Sequence, residues 1–132
     1  MSPTVLLVED DLDLQSMMEH LLRFEGFTPV TAVNGREALR LLKSGTEPEA
    51  ILLDLMMPVM DGWAFRRAQK SDAEIAGIPV IVLTAAANVS HDELDVVAVF
   101  RKPVDFDELM VVLRGLCRES KHPNERTQQH DR

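Results

Sequence analysis

Glu9, Asp10, Asp54, Thr84 and Lys102 share one feature: each stands at, or just past, the end of a short apolar run. Three carboxylates packed together repel one another, so their pKa values rise or the fold loses stability unless a cation sits among them. Ligation by oxygen alone favours a hard ion, Mg²⁺ or Mn²⁺, over zinc. Mg²⁺ commonly takes one or two carboxylates and keeps waters and a phosphate in its octahedron. Three acids, a lysine and a hydroxyl therefore suit phosphoryl transfer, with a carboxylate able to act as nucleophile and form an aspartyl phosphate. Taken singly, each residue has an ordinary explanation: a helix N-terminal acid cluster, a loop cap, a strand threonine, a solvated lysine. The shared position in separate chain segments is what makes the set informative.

The runs that end in these residues read as strands. Thr4 to Glu9 is apolar with β-branched residues, the pattern of a strand buried on both faces, and Asp54 lies within the similar run Ala50 to Leu55. Ile78 to Ala85 and Val96 to Phe100 supply the fourth and fifth strands. Phe27 to Val33 is the second, and its Pro29 predicts an edge position. Helices fall between them. Leu14, Met17, Met18, Leu21 and Leu22 recur at helical spacing after the N-cap candidates Asp11 and Asp13, with Gly26 as C-cap. Asn34 caps a second helix that ends before Gly45, and a third carries Trp63, Phe65 and Ala68. Ser90 and Glu93 frame a short fourth as a capping box. The fifth spans Val104 to Cys117, with Phe106, Leu109, Met110, Leu113 and Leu116 as its apolar stripe. Strand and helix thus alternate five times. That implies an α/β fold, a flavodoxin-like doubly wound five-stranded parallel sheet of order 2-1-3-4-5. Ligands of such sheets bind beyond the strands' carboxyl ends at the switch point, here between strands 1 and 3.

Composition limits the alternatives. The chain has 132 residues, a formal net charge of −8 and 45% hydrophobic residues, which suits one domain with a real core. The acidic balance argues against nucleic acid as a partner. The single Cys117 permits no internal disulfide. No run reaches the roughly 20 apolar residues of a membrane span, and the N-terminus lacks the basic region of a signal peptide, so a cytoplasmic location is expected. Residues 1–118 are expected to form the domain, and Glu119 to Arg132 a disordered polar tail too short for an effector domain. Met17, Met18 and Met110 are expected in the core. The four histidines do not converge, and none is read as a ligand.

The segments "VLLVEDD", "LLDLMMPVMDGW", "PVIVLTA" and "FRKPVD", in that order, resemble the receiver domain of two-component response regulators over about residues 3–118. The resemblance implies that Asp54 is the phosphoacceptor. Asp10, Asp54 and the backbone carbonyl of Met56 would ligate Mg²⁺, with Glu9 acting largely through water. Thr84 would turn to the phosphoryl group and Lys102 would pair with it, next to a cis Lys102-Pro103 bond. A histidine kinase or histidine phosphotransfer protein would be the donor, an unidentified output protein the recipient of the signal. The domain would be no enzyme beyond its own phosphorylation and dephosphorylation. Met56 and Ala86 stand at two positions that tune phosphate lifetime in the family, and neither can hold an attacking water, so slow self-dephosphorylation is expected.

Two departures stand out. The aromatic that usually precedes the lysine by three positions is replaced by Val99, and Phe100 follows one place later. A one-residue shift in a strand reverses the face, so either the strand is irregular or the aromatic is missing. Thr84 and Lys102 are 18 positions apart, about one helical turn (~4 residues) fewer than usual, so the fourth helix is expected to be short or displaced. Two other readings compete. One is a receiver-like binding module that works without phosphorylation. The other is a Mg²⁺-dependent aspartyl-nucleophile phosphatase, which would want an Asp where Met56 stands. A flavodoxin-type cofactor site is disfavoured because "EDDLDL" would repel phosphate.

Overall fold

The computed structural model describes residues 2–119. Ten elements alternate along the chain: β1 (Thr4–Val8), α1 (Leu12–Phe24), β2 (Thr28–Ala32), α2 (Gly35–Lys43), β3 (Ala50–Asp54), α3 (Gly62–Lys70), β4 (Val80–Thr84), α4 (His91–Leu94), β5 (Ala98–Arg101) and α5 (Phe106–Glu119). The five strands form one parallel sheet in the order β2-β1-β3-β4-β5. Of the tail expected from Glu119 onward, Glu119 closes α5 and the rest lies outside the described residues.

Strand alternation divides the core into two layers. Leu6, Val8, Ile51, Leu53, Val80 and Val82 face α2, α3 and α4. Val5, Leu7, Leu52, Ile81 and Leu83 face α1 and α5. The central strands β3 and β4 are buried at every residue, which is why they read as unbroken apolar runs rather than alternating ones. β2, carrying Pro29, lies at the edge.

Local chemistry sets the helix ends. Asp11 caps α1 by accepting the Asp13 and Leu14 N–H groups, Asn34 caps α2 through Glu37 N–H, and Asp61 caps α3 through Ala64 N–H. Gly26 (φ 96°) and Gly45 (φ 112°) follow α1 and α2 in the left-handed conformation that a residue with a Cβ adopts only at a cost.

Two elements differ from expectation. β5 begins at Ala98, not Val96. The shortened connection makes α4 a single turn, and Asp95 (φ 56°) then reverses the chain, so Val96 and Val97 are used in reaching the sheet edge. Met17 was expected in the core but is 52% exposed, while Met18 and Met110 are buried. The buried stripe of α1 instead runs Gln15, Met18, Leu22, which turns Met17 outward.

Candidate functional site: an acidic crevice at the carboxyl end of the sheet

β1 delivers Glu9 and Asp10, β3 delivers Asp54, β4 ends in Thr84, and Lys102 follows β5 directly. Carboxylate oxygens of Glu9, Asp10 and Asp54 lie within 4.8 Å of one another. Lys102 Nζ reaches across from β5, 2.9 Å from Glu9 Oε1 and 3.6 Å from Asp54 Oδ2. Its hydrogen bond goes to Glu9, so Asp54 is the second partner. The Lys102-Pro103 bond is cis.

The electrostatics of the crevice do not balance. Asp54, 4% exposed, has its pKa pushed up to about 6 by burial and by the Glu9 charge, against the pull of Lys102 and the Met56 N–H. Burial pulls Lys102 down. The hydrogen bond to Glu9 and the charges of Asp54 and Glu9 outweigh it, so the ammonium titrates above its ordinary value. Three carboxylates against one lysine leave room for a divalent cation. An all-oxygen donor set suits a hard ion, so the residues fit Mg²⁺.

Around the acids the backbone is held closely. Met56 N–H donates to Asp54 Oδ1 at 3.2 Å. Gly62 N–H donates to Leu55 O at 2.9 Å, bringing the first turn of α3 onto the end of β3. Met60 N–H donates to Pro58 O at 2.7 Å and closes a γ-turn centred on Val59 at φ 71°. A β-branched residue there is a true outlier, of order 1–3 kcal/mol. Gly35 N–H holds this loop by donating to Met60 O at 3.0 Å, at a contact too close for a Cβ. Thr84, fully buried, accepts the Ala86 N–H on Oγ1 at 3.0 Å and so organises the start of the loop toward α4.

The register decides where Phe100 points. Val82 lies opposite Val99, Leu83 opposite Phe100 and Thr84 opposite Arg101, and Lys102 N–H donates to Thr84 O at 2.8 Å, carrying the same offset past the strand end. The strand is therefore regular. Val99 packs in the layer of Val82, on the Thr84 face, and Phe100 packs with Leu83 toward α1 and α5. The face of Thr84 has an aliphatic neighbour and Phe100 does not replace the missing aromatic.

Three supporting side chains were not singled out by sequence. Gln15 donates its amide to the carbonyls of Glu9 (2.9 Å) and Ala32 (3.2 Å), fixing the ends of β1 and β2 beneath the acids. On α3, Arg66 Nε donates to Leu94 O at 2.9 Å, its other nitrogens donate to Gln69 Oε1 and Asp95 O, and Gln69 donates onward to Ile75 O and Ile78 O. The signal was a polar residue on a buried helical face: Gln15 beside Met18 and Leu22, and Arg66 and Gln69 beside Gly62 and Phe65.

A doubly wound parallel sheet with three acids and a lysine gathered beyond its carboxyl edge and a threonine ending β4 defines the class of receiver-like α/β proteins. Residues 5–114 match the family model described as the response regulator receiver domain, and the chain belongs to that family. It is 36% identical over 125 residues to the response regulator MprA of Mycobacterium ulcerans, covering 92% of this chain and 53% of MprA. The chain thus spans about half the length, or less, of the curated relatives it matches. Among solved structures it resembles the Francisella response regulator 1452 receiver domain (TM-score 0.81, 25% identity, 91% of this chain and 100% of that one). It also resembles the receiver domain of the sensor histidine kinase PA1611 of Pseudomonas aeruginosa PAO1 (TM-score 0.78, 29% identity, 88% and 98%), which has a magnesium ion coordinated in its active-site cleft.

Proposed function

We propose that this domain is a phosphorylation-dependent signalling receiver whose phosphoacceptor is Asp54. The observation that carries the reading is the Asp54 carboxylate at the end of β3, facing Glu9, Asp10 and Lys102. An Asp54 oxygen attacks the phosphorus of a phosphohistidine on a kinase or phosphotransfer protein. The new O–P bond forms as the P–N bond breaks, and the imidazole leaves. Lys102 pairs with the added charge, and Thr84 gives up the Ala86 N–H to donate its hydroxyl proton to a phosphoryl oxygen. When bound, Mg²⁺ supplies charge neutralisation at the phosphoryl oxygens, and Glu9, Asp10, Asp54 and the Met56 carbonyl are the groups that would hold it. Release of Ala86 frees the loop that leads into α4, which gives the change a route to a partner. The chain acts on no other substrate in this reading, and its site of action is cytoplasmic.

A groove of about 430 Å³ opens beside the crevice between α1 and the start of α5, with Leu14, Met17, Leu21, Val104 and Phe106 among its walls and Glu9 and Lys102 at its end. Because it runs into the crevice, an amphipathic helix bearing the phosphohistidine could lay its apolar face there while its imidazole reaches Asp54.

Incubation with acetyl phosphate and Mg²⁺, followed by intact mass measurement, tests the proposal. The wild type gains one phosphoryl group and Asp54→Ala gains none; a wild type that gains none instead is a binding module that works unphosphorylated. Once formed, the phosphoryl group is expected to persist, since Met56 and Ala86 offer no polar side chain to orient water. A half-life of seconds in purified protein with Mg²⁺ would contradict that.

A further inference from the structure

A second concavity, of about 420 Å³, lies between α3 and the single turn of α4, lined by Trp63, Arg66, Arg67, Lys70, Glu93 and Leu94. Its lining holds three cations and one acid, Glu93, in a chain of net charge −8, and the Asp95 carboxylate stands beside them, 3.1 Å from Lys70 and 4.0 Å from Arg66. The three cations have different duties. Arg66, 7% exposed, is committed to the carbonyls of Leu94 and Asp95 and to Gln69, so it fixes the wall that α4 forms. Lys70 sits 3.1 Å from Asp95 Oδ2 in a pair exposed on both sides. Such a pair contributes ~1 kcal/mol or less, so the ammonium can be shared with an incoming carboxylate. Arg67 is exposed and pairs with no acid among the described residues. The floor is apolar: Leu94 is buried and Trp63 packs on the same core layer.

We propose that this cleft is a docking site for an acidic segment of a partner protein, its carboxylates meeting Arg67 and Lys70 and an apolar side chain resting on Trp63 and Leu94. Charge complementarity selects the partner: the domain is acidic as a whole, and this cleft lines up three cations against one acid beside an apolar floor, where the α1/α5 groove has Lys102 matched by Glu9 and the cavity at Lys43 has two glutamates. Tryptophan and arginine, both present in the lining, are also residue types enriched at the energetic centres of protein interfaces. The inference goes beyond phosphotransfer and does not rest on it, so it is tested on unphosphorylated protein.

Trp63 is the only tryptophan and reports on the cleft directly. The probe is a short blocked peptide of glutamates and leucines without aromatic residues, titrated while Trp63 emission is recorded. The control peptide has glutamine at every glutamate. The expected result is a saturable change with the acidic peptide only, weakened about fivefold or more between low and physiological salt, and lost in Arg67→Glu/Lys70→Glu. If the double variant loses its native circular dichroism, Arg67→Gln, which removes one exposed charge, is used and should weaken binding about threefold or more. Equal response to both peptides, no saturable response, or titrations unchanged in the folded variants would each overturn the proposal.

Discussion

Gly62→Ala is expected to lose about 3 kcal/mol of stability in urea unfolding, and to take up less phosphoryl group from acetyl phosphate. A Cβ on Gly62 would stand 2.6 Å from Asp54 O and 2.7 Å from Leu55 Cα. Both are backbone atoms of the central sheet region, so no side-chain rotation relieves the clash. Moving α3 away would break the Gly62 N–H bond to Leu55 O and draw Asp61 from its cap on Ala64. Overpacking of this kind costs ~1–3 kcal/mol and occasionally more, and a rigid backbone contact belongs at the upper end. The strain falls on the peptide that carries Asp54, the proposed phosphoacceptor, which links stability to chemistry. Gly77→Ala is the control: its Cβ would meet nothing within 4 Å, and it should stay within ~0.5 kcal/mol of wild type. Equal effects of the two substitutions would refute the argument.

Asp54→Asn should stabilise the domain at pH 7.5 in the absence of divalent cations. The folded protein holds the Asp54 carboxyl at about 6, against an ordinary 3.8. A carboxyl raised on folding favours the native state fully only below the unfolded pKa, and that contribution disappears as pH rises through the folded one. At neutral pH the ionised Asp54 therefore costs the fold ~3 kcal/mol at ~1.4 kcal/mol per unit. Asparagine keeps the shape without the charge. Its advantage should be ~1–3 kcal/mol at pH 7.5, should shrink between about pH 6 and 4, and should narrow when Mg²⁺ is added because only the wild type keeps the Asp54 carboxylate among the groups that would hold the cation. A variant less stable than wild type at pH 7.5 without Mg²⁺ would show that Lys102 already compensates the charge.

Both residues, Gly62 and Asp54, lie in the segment "LLDLMMPVMDGW" that carries the receiver resemblance, and Asp54 also stands where an apolar run ends. The sheet order was legible from the alternation of strand and helix along the chain, and the edge position of β2, the caps at Asp11 and Asn34 and the brevity of α4 were legible because each leaves a local mark. What was not legible required knowing how elements meet. The choice between an irregular β5 and a missing aromatic turned on a register that only the pairing of β4 with β5 reveals. Met17 and Met18 are indistinguishable by composition, and a rotation of α1 separates them. Gln15, Arg66 and Gln69 broke the apolar pattern of their helices, yet the carbonyls that receive them lie at the ends of β1 and β2 for Gln15, in the short connection for Arg66, and in the loop before β4 for Gln69.

The Arg66–Gln69 pair also bears on how this domain can be rebuilt. Arg66 occupies the space and satisfies the carbonyls that a one-turn α4 leaves at Leu94 and Asp95. Restoring a longer α4 by insertion would displace those acceptors and strand a guanidinium beside Gln69 in the interior, a costly arrangement. The reverse graft would leave the carbonyls without donors. Chimaeras with longer-helix receivers should therefore exchange α3 and the segment from Thr84 to Ala98 as one cassette, with the junctions in β3 and β5.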